Sequence, residues 1–398
     1  MKYIVQRLKR FCGYITGFVF FIGGLLKLVD PVGAGLVMDS YFDFLHLGFL
    51  SPAAKLFGVI FALVETVIGA ELITGVWRKV SGLIALSLQV FFTLLTALLV
   101  IFSPEMDCGC FGEAVELTHQ QTFWKNVVLL ILLLIYTLPL KNIGKPKKKK
   151  YVSFAVVTLS VVLFTIYSCL YIPMVDFTDY KPGVQLQAVD SDEQGDMYEA
   201  VFVYEKDGAR QEFDLQHLPD STWTFVETRT RMREGMSERM PLSITDAAGG
   251  YHDEVAADGR VMAVTVYDTD VRPAFWKKVA AELRLAEQTG YKPLLLIAPS
   301  SADVIPSLAE AGETGILKWT YFSDYKTIIT LNRSNGGVTY IHDGTIIRKW
   351  ARRAMPDKAE LEEVHQSDAL ETEIDSSTHS SLAFQGFLLY VFAIMLLL

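Results

Sequence analysis

Cysteine is scarce in this chain: four residues in 398, and none after Cys169. So few thiols exclude a disulfide-rich scaffold. Charged residues are also scarce, at 20% of the chain against about 25% in an ordinary soluble domain. Outside one lysine run at 147–150 the basic residues form no face suited to phosphates, so a nucleic-acid partner is excluded. The charges that remain are unevenly placed. Residues 1–172 hold 15 Lys and Arg against 9 Asp and Glu, a net of +6, and the rest hold 21 against 36, a net of −15. An apolar share of 51% with a mean hydropathy of +0.30 therefore averages a very apolar part with an ordinary water-soluble one. A single soluble enzyme is excluded.

A helix that crosses a bilayer needs roughly 20 mostly apolar residues. Residues 11–29, 54–77, 80–102, 123–140 and 151–172 qualify, and 382–398 is at the short limit. The first follows Lys2, Arg7, Lys9 and Arg10, as a secretory signal would, but no small-x-small cleavage site follows at 28–30, which predicts a retained helix. Basic residues near the helix ends set orientation. Those at the start, Arg78 and Lys79, and six lysines between 141 and 150 fall on one side of the bilayer. The loops 30–52 and 103–121 hold acidic residues without Lys or Arg. Both termini are expected in the cytoplasm and residues 173–380 outside. The lysine run then serves as a topology anchor at an anionic membrane surface.

The large insert reads in two parts. Between 183 and 267, alternation at 200–205 and 211–215 predicts strands around the turn Lys206-Asp207-Gly208. From 261 the pattern becomes strand 261–267, helix 273–288, strand 293–298, helix 301–311, a short element at 325–330, a hairpin 337–341/345–350 around His342-Asp343-Gly344, and a closing helix 357–371. That order predicts an α/β domain of thioredoxin type. The expected organisation is a four-helix membrane domain at 1–140, a lysine-rich inner loop and fifth helix at 141–172, a β-rich segment at 173–260, the thioredoxin-like domain at 261–380, and a sixth helix at 381–398. The fold class is thus an α-helical transmembrane bundle carrying a soluble α/β thioredoxin-like domain.

The sharpest local motif is Asp107-Cys108-Gly109-Cys110-Phe111-Gly112, in the loop before the fourth helix. Glycine between two cysteines allows a tight turn, and a disulfide needs α-carbons within about 7 Å. Three uses stay open: a structural clip, an exchangeable pair that passes electrons to a partner, and a metal site completed by His119 or His46, neither of which has convincing spacing. Cys12 reads as core packing. Cys169, expected at the membrane level of the pair, reads as a small helix-facing residue or a resolving thiol. Asp107 and Glu113 nearby raise a thiol pKa. Among ionisable groups in the helices, Glu65 is the candidate for proton handling or for holding a partner, Glu71 lies on a different face, and Lys27 with Asp30 reads as a snorkelling pair. The thioredoxin-type segment has no thiol at its first strand–helix junction, which reads Tyr267-Asp268-Thr269-Asp270. It cannot run dithiol chemistry, and reads as a docking module.

The run FVFFIGGLLKLVDP at 18–31, Glu65 followed by Gly69, and the 107–112 motif together resemble the DoxX/MauE-like membrane family. Residues 180–183 and 220–226 are similar to a bacterial subgroup that fuses this four-helix unit to an extracytoplasmic domain. The resemblance implies a multi-pass protein of the bacterial inner membrane that acts in thiol–disulfide redox chemistry or in protein maturation. Cys108 and Cys110 would be the exchangeable, catalytic pair. An exterior protein partner is implied beside the lipid bilayer, and a quinone is the cofactor the family suggests. The other reading is a non-catalytic envelope scaffold that displays the thiol-free module.

Overall fold

The computed structural model describes residues 2–397 apart from 105, 116, 139–146, 188–197, 207–208, 214–218, 220–221, 233–239 and 299–303. It divides into two compact units, Met1–Phe177 with Ser377–Leu398, and Thr178–Ser376.

The first unit is helical: α1 (Lys2–Val29), α2 (Pro31–Phe44), α3 (Ala54–Thr74) and α4 (Arg78–Phe102), then a short extended segment β1 (Cys110–Glu113), then α5 (His119–Thr137) and α6 (Lys148–Leu170). Among the described residues five stretches are long and apolar enough to cross a membrane: Tyr3–Val29, Gly48–Thr74, Arg78–Phe102, Lys148–Leu170 and a C-terminal helix at Ala369–Leu396. The stretch expected at 123–140 forms α5. At 19 residues, with Lys125 and Asn126 in its first half, it does not join those five, and its expected end at 139–140 lies outside the described residues.

Three boundaries differ from the expectation, each for a local reason. The acidic loop at 30–52 is largely α2 followed by a 3-10 turn at Gly48–Ala53. Asp30 caps α2, its Oδ1 accepting from the backbone N–H of Val32 at 3.1 Å and Gly33 at 2.9 Å. Pro31 at the first helical position gives up no hydrogen bond. The closing helix ends early, at Gln366, because Asp368 starts a new helix by accepting from Leu370 N at 2.8 Å. The C-terminal helix therefore begins at Ala369, well before 382.

Close helix contact in this unit depends on small residues, as in membrane bundles generally. A Cβ on Gly24 of α1 would lie 2.6 Å from the Ala62 carbonyl of α3, so only glycine lets the two backbones approach. Phe21, Leu25, Leu28, Ala62, Ala70 and Ile73 fill the core between these helices.

The second unit is built on sheets. A parallel bridge joins β2 (Leu186–Gln187) and β6 (Met240–Pro241). A three-stranded antiparallel sheet has β3 (Tyr198–Lys206) between β4 (Ala209–Phe213) and β5 (Thr224–Met232). The β3–β4 hairpin pairs Lys206 with Ala209, and the turn expected at 207–208 lies outside the described residues.

After the short α7 (Glu254–Ala257) comes the main sheet. Its order is β11 (Thr345–Trp350), β10 (Gly337–His342), β7 (Arg260–Val266), β8 (Lys292–Ile297) and β9 (Thr320–Phe322). The pairs β7–β8 and β8–β9 are parallel, whereas β10 is antiparallel to both β7 and β11. α8 (Pro273–Gln288), α9 (Val304–Ala311), α10 (Tyr325–Leu331) and α11 (Lys358–Gln366) connect or follow the strands, and α12 (Ala369–Leu397) completes the described elements.

Side-chain alternation explains why these strands are apolar throughout. Successive strand residues point to opposite faces. Met262, Val264, Leu295 and Ile297 join Phe275, Trp276, Val279 and Leu283 of α8 in one core, and Val261, Ala263, Leu294 and Leu296 enter the core on the other face. A sheet buried on both faces gives up the polar half of the period-2 pattern.

Candidate functional site

The loop after α4 carries Cys108, Gly109 and Cys110 back over the helices. Gly109 makes the path possible. Its φ is +56°, and a Cβ there would stand 3.1 Å from Cβ and Cγ2 of Val37 on α2 and run into Cγ1. Tyr41, one turn further along α2, donates its hydroxyl to the Cys108 carbonyl at 2.8 Å. Burial, with the two cysteines adding to it, pushes the Tyr41 hydroxyl far above its ordinary pKa, so it remains a donor. Both residues belong to the helix that was expected to be loop.

Downstream, Thr118 and Gln121 form a capping box: Thr118 Oγ1 accepts from Gln121 N at 3.2 Å, and Gln121 Oε1 accepts from Thr118 N at 3.0 Å. The box fixes the start of α5 at His119. His119 Nδ1 then lies 2.9 Å from Cys108 Sγ, and its Nε2 lies 3.0 Å from the Pro104 carbonyl. A carbonyl only accepts, so Nε2 donates to it, and Nδ1 is the ring nitrogen that faces the thiol. Chemically, the arrangement can offer a thiol, an acceptor for its proton and a group that orients that acceptor.

The electrostatics give the base something to do. Burial pushes the Cys108 thiol above its ordinary value, and Cys110 and Asp107 add to the shift, against the Thr122 hydroxyl and Lys125. Cys108 is 5% exposed, whereas Cys110 is half-buried. A thiol held protonated by its surroundings is a poor nucleophile until a neighbour removes the proton. The positive end of α5 favours the thiolate once it forms.

Cys108 and Cys110 border a cavity of about 310 Å³ inside the helical unit, mostly lined by apolar and aromatic side chains. Its polar points are few. Lys27 of α1 and Glu65 of α3 pair at 2.6 Å and are mostly buried. Gln89 Nε2 of α4 donates to the Asn126 carbonyl of α5 at 3.0 Å, and Asn126 Nδ2 donates to Thr96 Oγ1 at 3.3 Å. Lys125 sits 4.6 Å from the centre of the Phe111 ring.

The structure sorts the candidate residues. Cys108 and Cys110 share one cavity wall, and both are free thiols. Glu65 faces the same cavity, but its partner is Lys27. The expected Lys27–Asp30 pair is not formed, because Asp30 caps α2. Glu71, His46 and Cys169 do not line the cavity; Cys12 is buried in a separate core cluster, and Cys169 is exposed on α6. Among the described residues no group of three or more His, Cys, Asp and Glu side chains is arranged to hold a metal ion. His119 was considered only as a metal ligand. The signal for its actual place was the Thr118-x-x-Gln121 spacing, which puts His119 in the first turn of a helix.

Comparison with known proteins covers part of the chain. No curated protein and no solved structure matches it. Residues 198–234 match a family described as Domain of unknown function (DUF8463). Residues 5–139, about a third of the chain, match the family described as Methylamine utilisation protein MauE. The cysteine loop, His119 and the cavity therefore all lie in the segment of this multi-pass membrane protein that is similar to MauE.

Proposed function

We propose that this protein exchanges disulfides with a protein partner through Cys108 and Cys110, with His119 as general acid and base. The observation that carries the reading is the 2.9 Å contact between Cys108 Sγ and His119 Nδ1. In the oxidised form the two cysteines share an S–S bond. As a thiol of the partner attacks the more open Cys110 sulfur, its proton passes to His119 Nδ1; the Cys108–Cys110 bond breaks, and Cys108 leaves with that proton from His119 Nδ1. The partner's second thiolate then attacks the mixed disulfide. The partner departs with its own S–S bond, and Cys110 leaves as a thiolate that takes up a proton. Two electrons and two protons pass from partner to chain, as exchange chemistry requires.

The second unit supports a docking role in the same scheme. The parallel pair joined through a helix and the later antiparallel hairpin followed by a helix support reading this unit as thioredoxin-like, and no cysteine follows Cys169. A unit without thiols of its own can bind a partner but cannot exchange its disulfides. Placement in the bacterial inner membrane, with both termini cytoplasmic and this unit outside, fits the lysine distribution and the oxidising compartment that such chemistry needs.

The test uses the full chain in detergent, oxidised and then mixed with a reduced dithiol peptide. The expected result is two new thiols, at Cys108 and Cys110, and one equivalent of peptide disulfide, with transfer lost in Cys108→Ser and in Cys110→Ser. A chain that keeps its disulfide while peptide is in excess would overturn the reading and leave a structural clip.

A further inference from the structure

The first turns of α5 bring one more polar group to the cysteine loop. Thr122 stands three residues after His119, so the two side chains share a face of the helix. It is 0% exposed, and its hydroxyl oxygen is buried without a hydrogen-bond partner. Other buried helical threonines avoid that state. Thr66, Thr74, Thr96 and Thr137 give their hydroxyls to the carbonyl four residues back, at 2.7 or 2.8 Å. The Thr122 hydroxyl instead acts on Cys108, where it works against burial and favours the thiolate. An unpartnered buried donor costs stability, and a charged sulfur beside it recovers that cost. Around the same sulfur stand His119 at 2.9 Å, Lys125 a further turn along α5, and Cys110 and Asp107 of the loop. Lys125 lies over the Phe111 ring, and Tyr41 of α2 is committed to the Cys108 carbonyl. The Thr122 hydroxyl is left uncommitted.

We propose that the Thr122 hydroxyl donates to the Cys108 sulfur as the Cys108–Cys110 bond breaks, and that this directs the partner's thiol to Cys110. The inference deepens the exchange reading above and rests on it. In the first step the electron pair of the broken bond goes to Cys108 Sγ. The Thr122 hydrogen bond takes up that charge until the proton from His119 arrives, and Thr122 itself gains and loses nothing. A sulfur whose thiolate is better stabilised leaves faster, so the other sulfur is the one attacked. Attack at Cys108 would forgo this help and would have to reach a residue that is 5% exposed.

The test compares the full chain in detergent with Thr122→Val, which keeps the shape and removes the hydroxyl, and Thr122→Ser, which keeps the hydroxyl. The oxidised proteins are treated with glutathione, free thiols are then alkylated, and mass spectrometry assigns the mixed disulfide to Cys110 or Cys108. Wild type and Thr122→Ser are expected to carry it on Cys110. Thr122→Val loses about threefold of that preference and of its exchange rate with the dithiol peptide. In the reduced state, Cys108 of Thr122→Val alkylates about tenfold more slowly near neutral pH, and its pH profile moves up by about one unit. Tenfold is the lower end for a hydrogen bond to a charged group, and threefold follows because a departing sulfur carries about half its final charge. A hydroxyl that only fills space predicts another pattern. Thr122→Val, freed of an orphaned polar atom, would be at least as heat-stable and unchanged in both chemical readouts, which overturns the inference. If the valine variant does not fold, Thr122→Ala removes the hydroxyl without added bulk and is compared with Thr122→Ser in the same assays. Wild-type exchange that these variants match shows that this inference alone has failed. A wild-type chain that keeps its disulfide overturns the exchange reading and this inference with it.

Discussion

Replacing His119 with alanine slows reaction of Cys108 with iodoacetamide by about 10²-fold at neutral pH, at the low end of what a positioned general base contributes. The direction follows from the local electrostatics. Burial holds the Cys108 thiol above its ordinary pKa, so without a base the thiolate at pH 7 falls below the few per cent found for an ordinary thiol. The pH profile separates this role from a structural one. In the wild type, His119 Nδ1 accepts the proton, and the rate climbs less than tenfold per pH unit. In His119→Ala, deprotonation has to come from solvent, and the rate climbs about tenfold per pH unit through neutrality and beyond. Mass-spectrometric mapping of alkylated Cys108 across pH reads both. An unchanged rate with an unchanged profile would show that the 2.9 Å contact only packs the loop.

Gly109→Ala has the larger effect on the loop itself. An L-residue at φ +56° costs about 1–2 kcal/mol, and forcing a methyl against Val37 adds about 1–3 kcal/mol of overpacking. The strain falls between two anchors of the loop, Tyr41 on the Cys108 carbonyl and His119 on the thiol, so relieving it shifts the sulfurs. A displacement of about 1 Å costs on the order of 10²-fold in a reaction that depends on aligned groups. Disulfide exchange with the dithiol peptide is therefore expected to fall by that amount. Val37→Ala in the same chain restores part of it, because both methyl groups facing the new Cβ are gone. Full activity of the single variant would show that the turn does not set the positions of the sulfurs.

How far the sequence reveals this site depends on the range of each interaction. The membrane helices are legible because an apolar run of sufficient length has one low-energy state in a bilayer. The strands of the main sheet are legible because runs such as Val261–Val266 and Leu294–Ile297 are short, apolar and bounded by turns. α2 was hidden by its content: four glycine or acidic residues within one short stretch read as loop, and the local signal, Asp30 capping with Pro31 next, was weaker than that composition. The break at Asp368 was hidden in the same way, inside a continuous helical pattern.

Tertiary proximity is a different matter. Lys27 meets Glu65 across 38 positions, and the nearer Asp30 was the natural partner until helix capping claimed it. Cys108 and Cys110 were evident from the motif. His119, 11 residues on from Cys108, was visible only as a histidine, although the capping box that aims it was written in the sequence. The cavity had no signal at all, since it is the space left where α1 to α5 fail to close.

The most direct test of the central claim is differential alkylation of Cys108 and Cys110 in intact membranes, before and after a pulse of dithiol peptide and again after recovery. Exchange predicts a mixed population at rest, both thiols exposed by the pulse, and return to the starting mixture. Full oxidation that neither the pulse nor recovery alters would contradict it and identify the pair as a fixed clip.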